Sequence, residues 1–315
     1  MVWIIVGCVA LGLVMLVFII STIVFFTTLR RKDDPIFDEG KVDLSVTHYG
    51  PYVDKLVESI TRMRNEEYEE LCITSYDGKK LYAEYYDRGY DKTAVMVHGY
   101  RSNPLNSFSY ISGKLLDKGY NVLFIHHRSH GKSDGNFISM GQREYRDVLQ
   151  WVELIASKES VKDIIIYGTS MGATAVGYAS DKIKTDKVKM LALDCGFTSY
   201  RDQLVHLIKS GSVQLLAIIF YIGLLPFFLW GRIVGVRMKY SDTSCIKNSK
   251  IPMCFIHGES DIAVPIGHTR KNFEACPNEK LLITVPNAGH TTALLVGGEE
   301  KTNEFFTFLD ACVNK

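Results

Sequence analysis

The chain has 315 residues, 47% of them apolar, which is enough for one large domain or two small ones with a sizeable core. It carries 36 lysines and arginines against 35 acidic residues, a net charge of +1, and no long basic block, which argues against nucleic acid as a partner. Its seven cysteines are an odd number without a CxxC pair, which argues against a disulfide scaffold and fits a reducing compartment.

The first predicted element is an uncharged apolar run, Val2 to Leu29, followed by three basic residues (Arg30, Arg31 and Lys32). As a helix it would be about 42 Å long, enough to cross a bilayer. A cleaved signal peptide would begin with basic residues, and a lipoprotein box would end the run, whereas "IVGC" stands near its start. Residues 1–32 are therefore predicted to form an uncleaved transmembrane anchor with its basic flank. Because basic residues flank only its C-terminal end, the rest of this single-pass chain is predicted to be cytoplasmic.

Residues 33–68 are charged and helix-prone and are predicted to connect the anchor to a domain that begins at residue 69. A hairpin follows, "LCITSYDGKKLYAEYYD", with Asp77-Gly78 at its turn. The next short apolar runs are "TAVMVHG", "NVLFIHH", "DIIIYG", "VKMLALD" and "MCFIHG". Runs of this kind, separated by helix-length segments, predict parallel strands buried on both faces. The predicted fold class for residues 69–315 is therefore α/β, a mostly parallel, doubly wound sheet.

One of the intervening helices is visible in "GQREYRDVLQWVELIA". Its residues Tyr145, Val148, Leu149, Val152 and Ile155 fall on one stripe, with charges on the opposite side. This spacing predicts an amphipathic helix packed on the sheet.

The strand "DIIIYG" leads into Gly168-Thr169-Ser170-Met171-Gly172, a G-x-S-x-G sequence before a helix-like segment. Such a turn is too tight for a Cβ at Gly168 and Gly172, and it raises the serine Oγ above the sheet. The pentapeptide alone is a weak signal, and its alternative is a tight turn with an incidental serine. The strand before it and the helix after it favour Ser170 as a nucleophile.

A serine hydroxyl needs a base to take its proton, and that base needs a third group to fix its tautomer. Asp261 follows the strand "MCFIHG", and His290 follows the next strand, so the chain order is Ser, Asp, His. Each has an ordinary alternative, a helix N-cap for Asp261 and a loop histidine for His290. Asp194, at the end of "VKMLALD", is the rival acid.

Two backbone N–H groups are expected to stabilise an oxyanion. One belongs to Met171, directly after the nucleophile, and the other to Tyr100, in the loop after "VMVHG". Donors of this kind are worth about 3 kcal/mol each to the transition state. The inference rests on position, because side-chain identity has little effect on a backbone donor.

Two further patterns are interpreted as structural. "HHRSHGKSDG" contains His126, His127 and His130, but no acidic or cysteine ligand recurs at metal spacing, so no metal site is predicted. Cys195 lies beside the rival acid, yet no histidine remains to activate it, so it is predicted to be a small buried residue.

Seven stretches occur in a fixed order between Leu71 and Val313: "VHGYRSN", "HRSHGKSDG", "MGQREYRDVLQWV", "YGTSMGATAV", "DCGFTSY", "IHGESDIAVP" and "NAGH". With them the chain resembles the α/β-hydrolase superfamily, in particular its membrane-anchored serine hydrolases of bacterial type. The resemblance implies Ser170 as nucleophile, Asp261 as acid and His290 as base, with Tyr100 and Met171 as oxyanion donors. The family usually has Asp two residues before the arginine of "HRSHG" and Gly after it, where this chain has His126 and Ser129. That departure puts the packing of the loop in doubt and leaves the catalytic set intact.

The resemblance implies a serine hydrolase that works through an acyl-enzyme and requires no metal or organic cofactor. The predicted anchor makes the membrane a partner and favours a lipid-like or other hydrophobic acyl ester as the small-molecule substrate. Aminopeptidase-like amide hydrolysis and thioester hydrolysis on the same triad stay open. A non-catalytic, membrane-tethered binding protein is the alternative of another class. The oligomeric state is not predicted.

A second apolar run, Val213 to Trp230, has eighteen residues without charge. A single crossing there would place Ser170 and His290 on opposite sides of the membrane and would cut the sheet, so a span is excluded. Pro226 would also break or kink a helix. The run is predicted to be a lid inside an insertion at 198–250, and a buried core helix is the alternative. The lid residues expected at the substrate are Phe220, Leu225, Phe227 and Phe228.

Overall fold

The computed structural model describes residues 1–32, 47–210, 228–237 and 241–315. Residues 33–46 of the predicted connector and residues 211–227 and 238–240 of the predicted lid, including Phe220, Leu225 and Phe227, lie outside these ranges.

A sheet of eight strands forms the centre of the described domain, in the order β1-β2-β4-β3-β5-β6-β7-β8. β1 and β2 form the predicted hairpin, in which Cys72 pairs with Tyr82, and β2 runs antiparallel to β4. The other neighbouring strands are parallel, so the predicted α/β fold is confirmed. The strands are β1 Glu69–Thr74, β2 Lys80–Tyr86, β3 Lys92–Val97, β4 Tyr120–Ile125, β5 Asp163–Thr169, β6 Val188–Asp194, β7 Met253–Gly258 and β8 Lys280–Val285.

Helices cover both faces of this sheet, as the continuous apolar strands predict. α2, α3 and α10 pack on one face, and α4, α5, α8 and α9 pack on the other. The helices are α1 Val2–Leu29, α2 Val53–Arg64, α3 Pro104–Asp117, α4 Glu144–Ser157, α5 Met171–Ala179, α6 Tyr200–Ser210, α7 at 228–234, α8 Asp242–Asn248, α9 Gly267–Ala275 and α10 Ala293–Val313.

The predicted amphipathic helix is present as α4, with its buried face turned slightly from the predicted stripe. Tyr145 and Leu149 are half-buried, whereas Trp151 and Asp147 are buried. The physical reason is an ion pair: Asp147 Oδ2 accepts a 2.6 Å hydrogen bond from the buried Arg128, 19 residues away in the chain. A hydrophobic pattern counts aspartate as exposed and misses this partner.

Helix α1 is, among the described residues, the one helix long and apolar enough to cross a bilayer. From Val2 to Ile20 nearly every side chain is exposed, and then Ser21, Phe25 and Leu29 form a buried stripe at a spacing of four. The Ile138 N–H donates to the Leu29 carbonyl at 2.7 Å. The last two turns of α1 therefore pack as part of the domain.

The two ends of the segment inserted between β6 and β7 lie side by side. Ser199 and Ser241 form an antiparallel bridge, and the Asp242 N–H donates to the Thr198 carbonyl at 3.1 Å. Within this segment, α7 packs Trp230 against the aromatic rings of Phe25 and Phe26 in α1, and Phe228 is half-buried. The inserted segment therefore contacts the apolar N-terminal helix.

Candidate active site

Ser170 lies between β5 and α5 in a strained turn, with φ 55° and ψ −118°. A Cβ at Gly172 would lie 1.9 Å from the Val97 carbonyl oxygen, and one at Gly168 would lie 2.6 Å from the Gly172 carbonyl oxygen. Both glycines are therefore needed for this turn to close, which is the steric reason that the sequence suggested. A non-glycine residue in such a conformation costs about 1–3 kcal/mol, and such strain clusters at functional sites.

A continuous chain of hydrogen bonds joins the three predicted catalytic side chains. His290 Nε2 lies 2.9 Å from Ser170 Oγ, and His290 Nδ1 lies 2.6 Å from Asp261 Oδ2. Ser170 directly follows β5, Asp261 lies in the turn after β7, and His290 lies in the loop after β8. All three therefore meet at the carboxyl edge of the sheet, where parallel α/β folds bind their ligands.

The surroundings of Asp261 keep its carboxylate ionised. Oδ1 accepts the N–H groups of Ala263 and Val264, both at 2.9 Å, and His257 Nε2 lies 3.3 Å from Oδ2. Burial alone would raise the pKa of Asp261, but the hydrogen bonds from His257 and His290 hold this pKa well below its usual range. An ionised Asp261 favours the His290 tautomer with its proton on Nδ1, and Nε2 is then the acceptor for the serine proton.

The rival acid, Asp194, is engaged elsewhere. Its Oδ2 accepts the Tyr167 hydroxyl at 2.9 Å, and its backbone carbonyl accepts the Ser170 N–H at 2.8 Å. Burial raises the pKa of Asp194 to about 6, which disfavours its charged form. His290 is therefore paired with Asp261, whereas Asp194 stabilises the turn at Ser170 through its backbone carbonyl.

The two expected oxyanion donors lie on either side of the serine turn. A Cβ built on Gly99 would lie 3.3 Å from Ser170 Cβ, so the loop that carries Tyr100 abuts the turn. Met171 is the first residue of α5, where backbone N–H groups have no helical acceptor. Within the described ranges, neither the Tyr100 nor the Met171 N–H has an acceptor. Both are available to a ligand oxygen.

An apolar cluster begins directly beside the nucleophile, because the Met171 side chain is fully buried in it. Half-buried Tyr100 packs against the same cluster. Its buried members come from α1, from the loop before α4, from the segment after β6 and from the turn after β7. They are Phe25, Leu29, Ile138, Met140, Met171, Phe197, Tyr200, Val234, Val236 and Val264.

Internal contacts hold the histidine-rich loop, but among the described residues neither ring nitrogen of the buried His127 has a hydrogen-bond partner. The His127 N–H donates to His98 Nε2 at 3.1 Å, and the Arg101 N–H donates to His130 Nε2 at 3.0 Å. Burial lowers the pKa of His127 to about 3 and that of His130 to about 4, so both rings are neutral at pH 7. His126 Nε2 lies 3.2 Å from Glu84 Oε1.

The group of side chains best placed to hold a metal, in the part of the chain that the structure describes, is Cys195, Asp261 and His290, with ligand atoms within 4.8 Å of one another. Asp261 and His290 already bond to each other. Burial raises the pKa of the Cys195 thiol well above its usual range, and a protonated thiol is a poor metal ligand and nucleophile.

Two arginines with distant partners were not predicted from the sequence. Arg128 is fully buried and pairs with Asp147 and with Asp77 of the hairpin turn, at 2.6 and 3.1 Å. Arg101 contacts the end of α1. Their partners are 19 to 74 residues distant, and local sequence carries no signal for them.

The residue after Arg128 is Ser129, which adopts φ +63°, the conformation that glycine favours, and its Oγ donates to the Phe137 carbonyl at 2.9 Å.

Sequence comparisons show which known proteins this chain resembles. The sequence profile of the family described as "Serine aminopeptidase, S33" matches residues 90–221. The uncharacterised protein YqkD of Bacillus subtilis is 30% identical over 239 residues, 74% of this chain and 75% of that protein. The uncharacterised protein YfhR of Escherichia coli is 24% identical over 204 residues, 64% of this chain and 63% of that protein.

Solved structures share the fold. The esterase Pf2001 of Pyrococcus furiosus is similar with a TM-score of 0.65 and 24% identity, covering 80% of this chain and 94% of that one. The esterase Est1E of Butyrivibrio proteoclasticus, solved with ferulic acid bound, is similar with a TM-score of 0.60 and 20% identity, covering 78% and 100%. At these identities the likeness establishes the architecture, and the chemistry has to be argued from the site.

Proposed function

This chain belongs to the α/β-hydrolase superfamily and is a hydrolase, and we propose that it is a serine hydrolase that cleaves acyl esters. The observation that carries the proposal is the hydrogen-bonded chain from Ser170 through His290 to Asp261 at the strained turn.

In the proposed mechanism, His290 Nε2 takes the Ser170 proton as Oγ attacks the ester carbonyl carbon. The N–H groups of Tyr100 and Met171 donate to the oxyanion that forms, and Asp261 stabilises the imidazolium. His290 then gives its proton to the leaving alcohol, and an acyl-enzyme remains. His290 Nε2 then deprotonates a water molecule, which attacks the acyl carbon. The bond between that carbon and Ser170 Oγ breaks, His290 returns the proton to Oγ, and the carboxylic acid leaves.

The proposed substrate is a hydrophobic acyl ester. The support is the apolar cluster that begins at Met171, next to the reacting oxygen, and whose half-buried margin includes Tyr100 and Leu204. Apolar surroundings of a reacting group favour a hydrophobic substrate. Amide hydrolysis is the second candidate, because the matching family profile is that of serine aminopeptidases.

The two candidates are separated by comparing full-length protein on acetyl, octanoyl and palmitoyl esters and on aminoacyl anilides. We expect kcat/KM to rise with acyl length and to exceed that for every anilide. Faster cleavage of an anilide than of any ester would refute the ester proposal and favour the aminopeptidase-like one.

We propose that α1 is an uncleaved anchor and that the domain faces the cytoplasm. The burial of Phe25 and Leu29 in the domain supports retention of the helix, since cleavage after it would remove part of the packed core. The basic residues after the helix support the orientation. Alkaline carbonate extraction of membranes tests this: an anchored chain stays in the pellet, and release into the supernatant would refute the anchor.

The segment at 198–250 is proposed to be a lid over the acyl site. Its two ends meet at Ser199 and Ser241, at the edge of the sheet that carries Ser170. Its described helix α7 contributes Val234 to the apolar cluster. Both observations support a flap that lies beside the proposed acyl path.

A further inference from the structure

A cleft of about 460 Å³ lies outside the hydrogen-bonded chain at Ser170 and has no role in the proposed reaction. Arg143 and Arg146, at the start of α4, line one side of it, and Arg237, just after α7, lines another. Gln142 and Tyr145 complete this part of the wall. Three arginines therefore line one solvent-filled space.

The charge of the cleft is not balanced by the described residues. Its one acidic side chain is Asp77, which already accepts hydrogen bonds from Arg128 at 3.1 and 3.2 Å. Over the described ranges, none of the three cleft arginines forms an ion pair with a carboxylate. Arg146 instead lies over the ring of Tyr76, 4.7 Å from its centroid. Convergent cations without acidic partners attract an anion.

A buried donor in the same cleft has no acceptor. Gln142 is 7% exposed, and its Oε1 accepts the Arg237 N–H at 2.5 Å. Its Nε2 is buried and, among described residues, has no hydrogen-bond partner. A buried amide N–H left without an acceptor costs about 1–3 kcal/mol, so this position calls for an acceptor oxygen. A phosphoryl group supplies several such oxygens together with the charge that the arginines match.

The position of the cleft relative to α1 indicates the source of that phosphoryl group, and this step rests on the proposed anchor. The exposed part of α1, Val2 to Ile20, would span about 29 Å, which matches a hydrocarbon core of about 30 Å. Trp230 Nε1 donates to Thr22 Oγ1 at 3.1 Å, directly after that boundary. Tryptophan is typical of the membrane interface. Trp230 shares the described stretch 228–237 with Gly235 and Arg237, so the segment that contacts α1 at this boundary also forms part of the cleft wall.

The cleft also adjoins the apolar cluster. Met140 and Val236 are buried in that cluster, while Gln142, two residues after Met140, and Gly235 and Arg237, on either side of Val236, line the cleft. We propose that this cleft binds the phosphoryl headgroup of an anionic membrane lipid. The lipid headgroup, rather than free phosphate, is the source to which the geometry points.

The test measures equilibrium binding of labelled phosphatidic acid to the full-length chain in neutral detergent micelles. Unlabelled phosphatidic acid, phosphatidylcholine and inorganic phosphate serve as competitors. The variant Arg143→Gln with Arg237→Gln removes two cleft charges, and Arg64→Gln with Arg270→Gln removes two exposed charges elsewhere. We expect saturable binding of phosphatidic acid. The cleft variant should weaken this binding at least about tenfold, because each charge-assisted contact is strong, and the control variant should bind within about twofold of the wild type. Gln142→Leu is expected to weaken binding with no change in charge.

Equal weakening in the cleft and control variants would overturn the proposal in favour of diffuse attraction. Competition by inorganic phosphate as effective as that by phosphatidic acid would overturn the lipid assignment, and equal competition by phosphatidylcholine would overturn recognition of an anion. Thermal unfolding confirms that each variant is folded. Saturable, cleft-dependent binding by a chain that carbonate releases from membranes would support the cleft while refuting the anchor.

Discussion

The Tyr100 hydroxyl donates a 2.5 Å hydrogen bond to the carbonyl oxygen of Thr28, which ties the loop beside the nucleophile to the last turn of α1. The next residue strengthens this link: Arg101 Nη2 donates to the Thr27 carbonyl at 2.5 Å and to the Thr28 carbonyl at 3.0 Å. A cation at a helix C-terminus also complements the helix dipole. The apolar N-terminal helix is therefore coupled, through two adjacent residues, to a proposed oxyanion donor.

Arg101→Ala tests this coupling. The substitution removes the hydrogen bonds to the α1 carbonyls. It thereby loosens the loop that carries Tyr100, in which residue 101 has a strained φ of +47°. We expect kcat on a short soluble ester to fall about tenfold, because a displaced Tyr100 N–H stabilises the oxyanion less well, while KM changes less than about twofold. The matched control is Arg270→Ala, at an exposed position of α9, which should leave both constants unchanged. A rise in KM at constant kcat would instead assign Arg101 to substrate binding.

Gly172→Ala is expected to be severely destabilising. Its Cβ would lie 1.9 Å from the Val97 carbonyl oxygen, which is held in the sheet and cannot move aside. We expect a loss of more than about 3 kcal/mol in the free energy of unfolding, measured by denaturant titration. Gly267→Ala, at the start of α9 with no atom within 4 Å of the new Cβ, should be neutral or slightly stabilising. Similar stability of the two variants would show that the turn can relax.

Asp194→Asn is expected to change the pH dependence of stability. Burial raises the pKa of Asp194 to about 6 in the folded chain, above the value of about 3.9 for an unfolded aspartate. Between these values the folded state keeps a proton that the unfolded state has lost, so the stability of the wild type falls as pH rises and stays low above about pH 6. Asparagine can still accept from Tyr167 and does not titrate.

The variant should therefore match the wild type near about pH 4 and exceed it near about pH 8 by at most about 3 kcal/mol. Chemical denaturation at the two pH values measures this difference. Asp310→Asn, at an exposed site on α10, is the control and should show no such divergence. An equal effect of Asp194→Asn at both pH values would contradict the assigned cause.

Replacing Phe227 and Phe228 with serine tests the proposed lid. If these rings cover the acyl chain, the double variant should slow palmitoyl ester cleavage far more than acetyl ester cleavage, because only a long chain contacts the lid. The ratio of kcat/KM for the two esters reports this directly. An equal decrease for both substrates would indicate a role in folding or in packing of α7.

Much of the fold and of the candidate site could be predicted because their signals are local. Each strand is a short apolar run that can be recognised in the sequence. Ser170, Asp261 and His290 follow the ends of β5, β7 and β8, so their order could be predicted along the chain. The two turn glycines could be explained before the structure because the steric demand of G-x-S-x-G acts within five residues.

The contacts of α1 could not be predicted in the same way. A uniformly apolar helix gives no pattern for which face packs, so the stripe at Ser21, Phe25 and Leu29 is set by the surface it meets. Likewise, Arg143 and Arg237 are 94 residues apart in the sequence. They line the same cleft only because the residues after α7 lie beside the start of α4 in the folded chain. Tertiary packing decides both features.

The central claim, nucleophilic catalysis by Ser170, is tested most directly by labelling full-length protein with a fluorophosphonate probe. Wild-type protein should be labelled in proportion to its loss of ester hydrolysis, and His290→Ala should be labelled much more slowly, because Ser170 Oγ then lacks its base. Folded Ser170→Ala, verified by thermal unfolding, should not react. Labelling that persists in Ser170→Ala at the wild-type rate would contradict the assignment.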